Sequence, residues 1–226
     1  MAYLCLDLLN QRMIGFYKAA DAQTIITNSY YKIWIKRFVE SVDSEQILFK
    51  AQLTYIDIKK AVEYIEELCL RLGYTFEMTS NLKQFLSQKE FYIQEKYKVG
   101  NDIKRRHSNV LDKFNEFKDI VSLHMSRQLR DKQMWDAFFM TTMEKSSNFS
   151  VPGSGKTSSV LGMYAFLKAM NRIDKVVMIG PKNAFGSWID EFNVCFDGIE
   201  ELRVFNIHDS RYKTTKDKMN SLLLDT

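Results

Sequence analysis

Apolar residues recur at helical spacing through much of the first 125 residues. Two stripes predict amphipathic helices, because their members return at steps of four, three, four and three positions and so share one helix face. The first stripe comprises Ile58, Val62, Ile65, Cys69 and Leu72, and the second comprises Val110, Phe114, Phe117, Val121 and His124. Gly73 follows the first stripe at the position where a helix commonly ends. Cys69 lies on this apolar face and is interpreted as a small core residue.

Two further helices are predicted in the same part of the chain. Over residues 30–42 an amphipathic pattern combines the apolar residues Ile33, Trp34, Phe38 and Val42 with the cations Lys32, Lys36 and Arg37. Residues 79–81 can cap another helix, which runs from residue 82 to about residue 98 and is broken at Gly100. Residues 1–28 are ambiguous, since Ile25 and its neighbours fit a strand without requiring one.

Glycine and proline are concentrated in the second part of the sequence. Both prolines, Pro152 and Pro181, and six of the nine glycines follow residue 150, whereas the first 145 residues contain few residues that break helices. We therefore predict an α/β protein with an all-helical accessory domain over residues 1–125. Residues 126–226 are predicted to form a turn-rich domain with a parallel sheet.

Short apolar runs in this second part predict strands around a central loop. Residues 138–140 and 148–149 precede the loop and predict a buried strand that enters it. Helical spacing follows over residues 158–172, and residues 176–179 and 202–207 predict two more strands. The order strand, loop, helix and strand is the context in which phosphate-binding loops occur.

The loop itself is Ser150-Val151-Pro152-Gly153-Ser154-Gly155-Lys156-Thr157. Glycines allow its N–H groups to converge on a polyphosphate, and the following helix adds the positive end of its dipole. In this pattern Gly153, Ser154 and Gly155 surround the phosphates, Lys156 reaches the β- and γ-phosphates, and Thr157 binds Mg²⁺. Ser150 replaces the first glycine of the strict pattern, and a polar turn without a ligand is the alternative interpretation.

Leu129-Arg130-Asp131-Lys132-Gln133 precedes the loop, and Lys156 follows Gln133 by 23 residues (156 − 133). This segment resembles the Q motif of superfamily-2 helicases, especially that of the Swi/Snf-type DNA translocases. The resemblance implies a RecA-like lobe that binds ATP and Mg²⁺, with Gln133 hydrogen-bonding the adenine edge through an amide that both donates and accepts. Kinases and GTPases, which also use such loops, would not be expected to carry this segment.

A second stretch looks like motif Ia of the same family. Gly180-Pro181-Lys182-Asn183 follows the predicted strand 176–179, and Trp188 with Glu191-Phe192 comes shortly after it. The resemblance implies that Lys182 and Asn183, with the N-terminus of the next helix, contact the backbone of a nucleic acid, most simply double-stranded DNA. For Lys182 an exposed turn residue is the alternative, and Trp188 is interpreted as a core aromatic residue.

The parts of such a motor from motif II onward, including motif III, the second RecA-like lobe and its arginine finger, are not found in this sequence. Motif II is a hydrophobic strand that ends in Asp-Glu, which holds Mg²⁺ and polarises the attacking water. Asp190-Glu191 is the only such pair, and we reject it because it follows a short polar stretch in the predicted motif Ia helix. We therefore expect the N-terminal portion of a helicase or translocase, whose remainder a partner chain could supply. Whether this chain acts as an enzyme stays open, and a non-catalytic interaction module with a relic loop is the alternative.

Net charge and cysteine content constrain the partner and the compartment of the protein less strongly than the motifs do. The 32 basic and 28 acidic residues give a net charge of +4, which fits a nucleic-acid or nucleotide partner. Three cysteines without metal-binding spacing favour a reduced, cytoplasmic interior, and no apolar run approaches the ~18 residues of a membrane span. The basic run Lys104-Arg105-Arg106-His107 is either a solvated helix face or a patch that contacts phosphates.

Overall fold

The computed structural model describes residues 2–18, 22–207, 210 and 213–224, and it gives side chains for these positions except 182 and 221–224. The chain forms two compact units, Met1–Tyr97 and Lys98–Thr226. Helices are combined with one five-stranded sheet, so the predicted mixed α/β class is confirmed. The predicted domain bounds, 1–125 and 126–226, divide the chain later than these units do. Within the described ranges, no helix has both the length and the apolar character needed to cross a membrane.

A mixed sheet forms the base of the first unit. Its strands are β1 (Tyr3–Leu9), β2 (Arg12–Lys18), β3 (Val39–Val42), β4 (Gln46–Phe49) and β5 (Thr75–Met78). Their order is β3-β4-β2-β1-β5, and neighbours are antiparallel except for the parallel pair β1 and β5. Side chains alternate between the two faces of a strand, and Leu4, Leu6, Met13 and Tyr17 accordingly lie together in the core.

These strands contradict the prediction that residues 1–125 are all-helical. That prediction depended on the scarcity of glycine and proline. The hairpin between β1 and β2 nevertheless turns through Asn10 and Gln11, whose φ angles are 50° and 64°. Two-residue hairpin turns need this left-handed conformation, which asparagine adopts more readily than most residues. A hairpin is therefore possible here without the residues on which the prediction relied.

The helices of the first unit follow the predicted stripes more closely. Helix α1 (Ala22–Thr27) occupies the ambiguous segment, and α2 (Tyr55–Leu72) confirms the first stripe. The Thr54 hydroxyl accepts the Asp57 N–H at 3.3 Å at the start of α2, and Gly73 ends the helix with a φ of 68°. Burial raises the pKa of the Cys69 thiol to about 11, which keeps it a neutral core group.

Helix α3 (Ser80–Lys104) is longer than the sequence predicts, and it contains the boundary between the two units. It continues through Gly100, where a break was expected. A Cβ at Gly100 would lie 3.3 Å from the Met143 sulfur, so glycine permits a close approach here without ending the helix.

Residues 30–42 do not form the predicted amphipathic α-helix. A π-helical turn, Tyr31–Ile35, is followed by a 3₁₀ turn, Lys36–Phe38, and then by β3. The change in helical period buries Tyr31, Ile35 and Phe38 and leaves Ile33 and Trp34 exposed. The predicted apolar face therefore lies partly in solvent.

Helices dominate the second unit. They are α4 (Leu111–His124), α5 (Asp131–Met143), α6 (Lys156–Ala169), α7 (Phe185–Cys195) and α8 (Thr215–Leu224). Helix α4 confirms the second stripe by burying Phe114, Phe117 and Val121. Phe114 stacks on Trp135 of α5 with ring centroids 3.6 Å apart. This aromatic core holds α5 and α6 side by side, and the loop between them carries the candidate site.

The predicted parallel sheet is not present among the described residues of the second unit. Residues 138–140 belong to α5, and residues 148–149, 176–179 and 202–207 have no assigned strand. Val177 and Ile179 are 82% and 94% exposed. An apolar run becomes a strand only when neighbouring backbones pair with it, which sequence pattern alone does not establish. The RecA-like lobe accordingly stays a prediction.

Candidate phosphate-binding site

The loop between α5 and α6 has the backbone conformation that its glycines permit. Gly153 and Gly155 have φ angles of 78° and 82°, in the left-handed region. The Ser154 N–H donates to the Val151 carbonyl at 3.2 Å and closes a tight turn. Gly155 is the residue immediately before α6, so the loop leads directly into a helix N-terminus with unpaired backbone N–H groups.

Lys156 is the first residue of α6, and its ammonium group lies over the loop. Its Nζ donates to the Ser150 carbonyl at 2.6 Å and to the Val151 carbonyl at 3.1 Å. These contacts keep a positive charge beside the curved backbone. A phosphate that enters the loop would compete with two carbonyl oxygens for the same ammonium group, and charged acceptors form the stronger hydrogen bonds.

Ser150 occupies the position where the strict pattern has glycine, and its hydroxyl is part of the loop's internal hydrogen bonding. The side-chain oxygen of Asn148 accepts the Ser150 backbone N–H at 3.0 Å and also its hydroxyl. The Ser154 hydroxyl donates to the Ser150 oxygen at 3.0 Å. The serine that weakens the sequence match therefore links the start of the loop to Ser154 in its middle.

Gln133 extends from the first turn of α5 to the loop. Its Oε1 accepts the Arg130 backbone N–H at 2.9 Å, and its Nε2 lies 3.4 Å from the Gly155 carbonyl and 3.5 Å from that of Ser154. The side chain is only 6% exposed. Both ends of the amide are thus engaged by protein groups, and hydrogen-bonding to adenine would require them to change partners.

Arg130 is a site residue that the sequence analysis did not identify. Its guanidinium group donates to the Ser154 carbonyl at 3.3 Å and to Gln133 Oε1 at 3.3 Å. The sequence does contain a relevant feature, because Arg130 directly precedes α5 and Gln133 stands three residues later, at capping-box spacing.

Replacing Gln133 by alanine is expected to lower the free energy of unfolding by about 1–3 kcal/mol, because part-buried backbone groups of Arg130 and Gly155 lose a hydrogen-bond partner. Urea unfolding followed by circular dichroism measures the change. Gln88→Ala is the matched control, since Gln88 is exposed on α3. Equal stability of the two variants would show that the Gln133 contacts do not support the loop.

Glu191 connects the first turn of α6 to α7. Its Oε1 accepts the Ser158 hydroxyl and lies 2.9 Å from Arg127 Nη1 in an ion pair. Burial, and the nearby Glu191 carboxylate, raise the pKa of the Cys195 thiol to about 11. Glu191 therefore lies within a helix and is engaged by other side chains. Neither Ser158 nor Arg127 was predicted, because no spacing rule relates them to Glu191.

The residues available to a metal ion at this site are few. Thr157 is half-buried next to Lys156, and its hydroxyl has no hydrogen-bond partner within the described ranges. No group of three or more His, Cys, Asp or Glu side chains that could hold a metal occurs among those residues either. The loop thus fits a Mg²⁺ ion that arrives with a nucleotide, with one protein hydroxyl as a ligand and phosphate oxygens as others.

The predicted nucleic-acid contacts lie at the start of α7. A 3₁₀ turn, Lys182–Ala184, leads into the helix, and the Ala184 N–H donates to the Pro181 carbonyl at 2.9 Å. Asn183 is exposed, whereas the side chain of Lys182 lies outside the described part of the structure. Trp188 is half-buried on the same helix. No contact within the described residues brings Asn183 to the phosphate loop.

A cavity of ≈ 330 Å³ adjoins the segment that enters the loop. Lys104, Arg106 and Lys132 line it together with Asp136 and the side chains of Trp135 and Phe139. Arg106 is paired with Asp131 at 2.7 Å. Two members of the basic run predicted from sequence therefore border a cavity beside Ser150, although one of them is neutralised by a carboxylate.

No protein-family model, curated protein or solved structure matches this chain. The functional argument therefore depends on the residues and their geometry.

Proposed function

We propose that this protein binds Mg·ATP through the loop of residues 150–157 and is the nucleotide-binding N-terminal portion of an ATP-dependent nucleic-acid helicase or translocase acting in the cytoplasm. The observation that carries the proposal is the loop geometry. Two left-handed glycines precede a helix whose first residue is a lysine, and that ammonium group already lies over the loop carbonyls. Bound ATP would supply the phosphoryl group, and the chain's residues would hold it in place.

The roles of the loop residues follow from their chemistry. Backbone N–H groups near Gly153 and Gly155 donate to phosphate oxygens, and the Lys156 ammonium neutralises their charge. The Thr157 hydroxyl is a ligand for Mg²⁺. Hydrolysis additionally needs an acidic pair to hold the metal and orient water, which we propose comes from residues other than Asp190 and Glu191.

The nucleic-acid part of the proposal places the backbone of double-stranded DNA at the start of α7. Lys182 and Asn183 precede that helix, whose N-terminus favours an anion. Contacts of this type position a strand without recognising its sequence.

Lys156→Ala is expected to weaken Mg·ATP binding about 10- to 100-fold, because hydrogen bonds to charged groups contribute about 1.5–3 kcal/mol and each 1.4 kcal/mol is a factor of ten. Isothermal titration calorimetry measures the affinity, and ATP hydrolysis is followed in the same samples with and without duplex DNA. Lys113→Ala, an exposed lysine of α4, is the matched control and should bind as the wild type does.

A non-catalytic interaction module with a relic loop is the second candidate. It is favoured by one observation: Lys156 and Gln133 are already satisfied by loop carbonyls. Wild-type protein that fails to bind millimolar Mg·ATP would support this candidate and contradict the first. DNA-stimulated turnover by this chain would instead require Asp190 and Glu191 to be reconsidered as catalytic groups.

A further inference from the structure

The first unit exposes a cationic and apolar segment on its surface. Residues 28–38 contain three cations and no carboxylate. Within it, residues 31–38 form a π-helical turn followed by a 3₁₀ turn, and five of these eight residues are exposed: Lys32, Ile33, Trp34, Lys36 and Arg37. We refer to these five residues as the Trp34 surface. Irregular helical turns of this kind recur at functional sites.

Two large apolar side chains of the Trp34 surface are in solvent. Ile33 is 65% and Trp34 41% exposed. The Trp34 ring is held from behind by Tyr64 of α2, with centroids 5.5 Å apart, and by Tyr30, with centroids 6.4 Å apart. The indole is thus fixed on an aromatic base while a large part of it stays accessible.

Two arginines lie over aromatic rings near Trp34. The Arg37 guanidinium lies 4.6 Å from the Phe38 ring centroid, and that of Arg71 lies 4.5 Å from the Tyr30 centroid. Over the described part of the chain, no cation lies over Trp34, and Lys32 and Lys36 form no ion pair. Arg71 is paired with Glu67 at 2.7 Å, so the positive charge comes mainly from the segment itself.

We propose that the Trp34 surface binds single-stranded nucleic acid, with an unpaired base stacked on Trp34 and the backbone phosphates paired with Lys32, Lys36 and Arg37. An accessible aromatic ring in the same short segment as Lys32 and Lys36, which form no ion pair in the described part of the chain, matches a polyanion whose planar groups are free to stack. A duplex offers the same phosphates but keeps its base faces buried, so it can use only the cations. The positive charge of the segment therefore favours a nucleic acid, and the accessible Trp34 ring favours a strand whose bases are unpaired.

This site is independent of the proposed nucleotide binding. The Trp34 surface belongs to Met1–Tyr97 and the phosphate loop to Lys98–Thr226. Lys156→Ala is therefore expected to keep full affinity for single strands, whereas changes at Trp34 leave Mg·ATP affinity unchanged. Single-strand binding at the Trp34 surface and Mg·ATP binding at the phosphate loop can therefore each be absent while the other is present.

The test is fluorescence anisotropy of a labelled 20-nucleotide oligothymidine strand, and of a labelled duplex of equal length, titrated with the full chain. Wild-type protein is expected to bind both, the duplex through the contacts proposed at the start of α7. Trp34→Ala should weaken binding of the single strand about tenfold without changing that of the duplex, since stacking on one aromatic side chain contributes on that order, and Trp34→Phe should retain most of the affinity. Tyr92→Ala is the control, because Tyr92 is an exposed aromatic residue of α3 in the same unit.

A second variant tests the electrostatic part without altering the aromatic packing. Lys32→Ala/Lys36→Ala should reduce the slope of log affinity against log salt by about 1.4, at about 0.7 per phosphate contact on a single strand. Lys83→Ala/Lys89→Ala, two exposed lysines of α3, should leave the slope unchanged. The proposal is overturned if wild type does not bind the strand, if Trp34→Ala weakens duplex binding as much as single-strand binding, or if Trp34→Ala and the Lys32/Lys36 variant both bind like wild type. Binding of a labelled acidic peptide in place of the strand would also overturn it and would assign the surface to a protein partner.

Discussion

Replacing Gly155 with alanine is expected to abolish measurable Mg·ATP binding and to destabilise the loop. The φ of 82° at this position costs a residue with a Cβ about 1–3 kcal/mol. The new Cβ would also lie 1.9 Å from Gln133 Nε2, so the buried amide must leave its place. Urea unfolding and calorimetric titration with Mg·ATP measure the two effects.

Gly186→Ala is the matched control for this prediction. Gly186 lies near the start of α7, has no positive φ, and offers space for a Cβ with no atom within 4 Å. Alanine should therefore preserve ATP binding and stabilise the helix by up to about 1 kcal/mol. The double variant Gly155→Ala/Gln133→Ala removes the clash and should be less destabilised than the two single changes predict together. Strict additivity would indicate that Gln133 and Gly155 are not in contact.

Local periodicity accounts for the parts of the fold that were predicted. The stripes that became α2 and α4 place their apolar residues on one face of a regular helix, so spacing alone determines which side chains are buried. Residues 30–42 have an apolar pattern that likewise predicts an amphipathic helix. A π-helical turn alters the period there, and Ile33 and Trp34 consequently lie outside the core. A spacing argument is valid only while the helix keeps 3.6 residues per turn.

The sheet depended on pairing that spacing cannot reveal. Strand β1 pairs with β5 about 70 positions later in the sequence, Tyr3 opposite Thr75, and no local pattern links the two. At residues 176–179 a strand was predicted that the structure does not contain. The continuous apolar run there has no pairing strand among the described residues. In both cases the deciding interaction is between distant segments.

The features of the candidate site likewise differ in whether the local sequence or the packing of distant segments determines them. The conformations of Gly153 and Gly155 and the position of Lys156 follow from eight consecutive residues, so the sequence was sufficient for them. The resemblance implied that Gln133 hydrogen-bonds adenine, and its contact with the loop carbonyls was found only in the structure. The contacts of Arg130 with Ser154 and of Ser158 with Glu191 depend on how α5, α6 and α7 pack, and these were found only in the structure.

Phe117→Ala is expected to lower the free energy of unfolding of the second unit by about 3–5 kcal/mol, the usual cost of removing a buried phenylalanine side chain. Phe117 is 2% exposed on α4. Its ring lies 5.4 Å from that of Phe138 on α5 and 4.7 Å from that of Phe166 on α6, centroid to centroid. The loss is large because the ring fills the space where these three helices meet, and domains of this kind have only about 5–15 kcal/mol of net stability.

Leu123→Ala separates this packing effect from a general effect of truncating an apolar residue of α4. Leu123 lies on the same helix but is 76% exposed, so its replacement should change stability by less than about 0.5 kcal/mol. Because α5 carries Gln133 and α6 carries Lys156, Phe117→Ala should also weaken Mg·ATP binding, and a Phe117→Leu variant should retain an intermediate share of both properties. A loss of stability below 1 kcal/mol for Phe117→Ala would mean that the aromatic core does not hold α5 and α6 together. Unchanged ATP binding in a destabilised variant would mean that the loop keeps its conformation without that core.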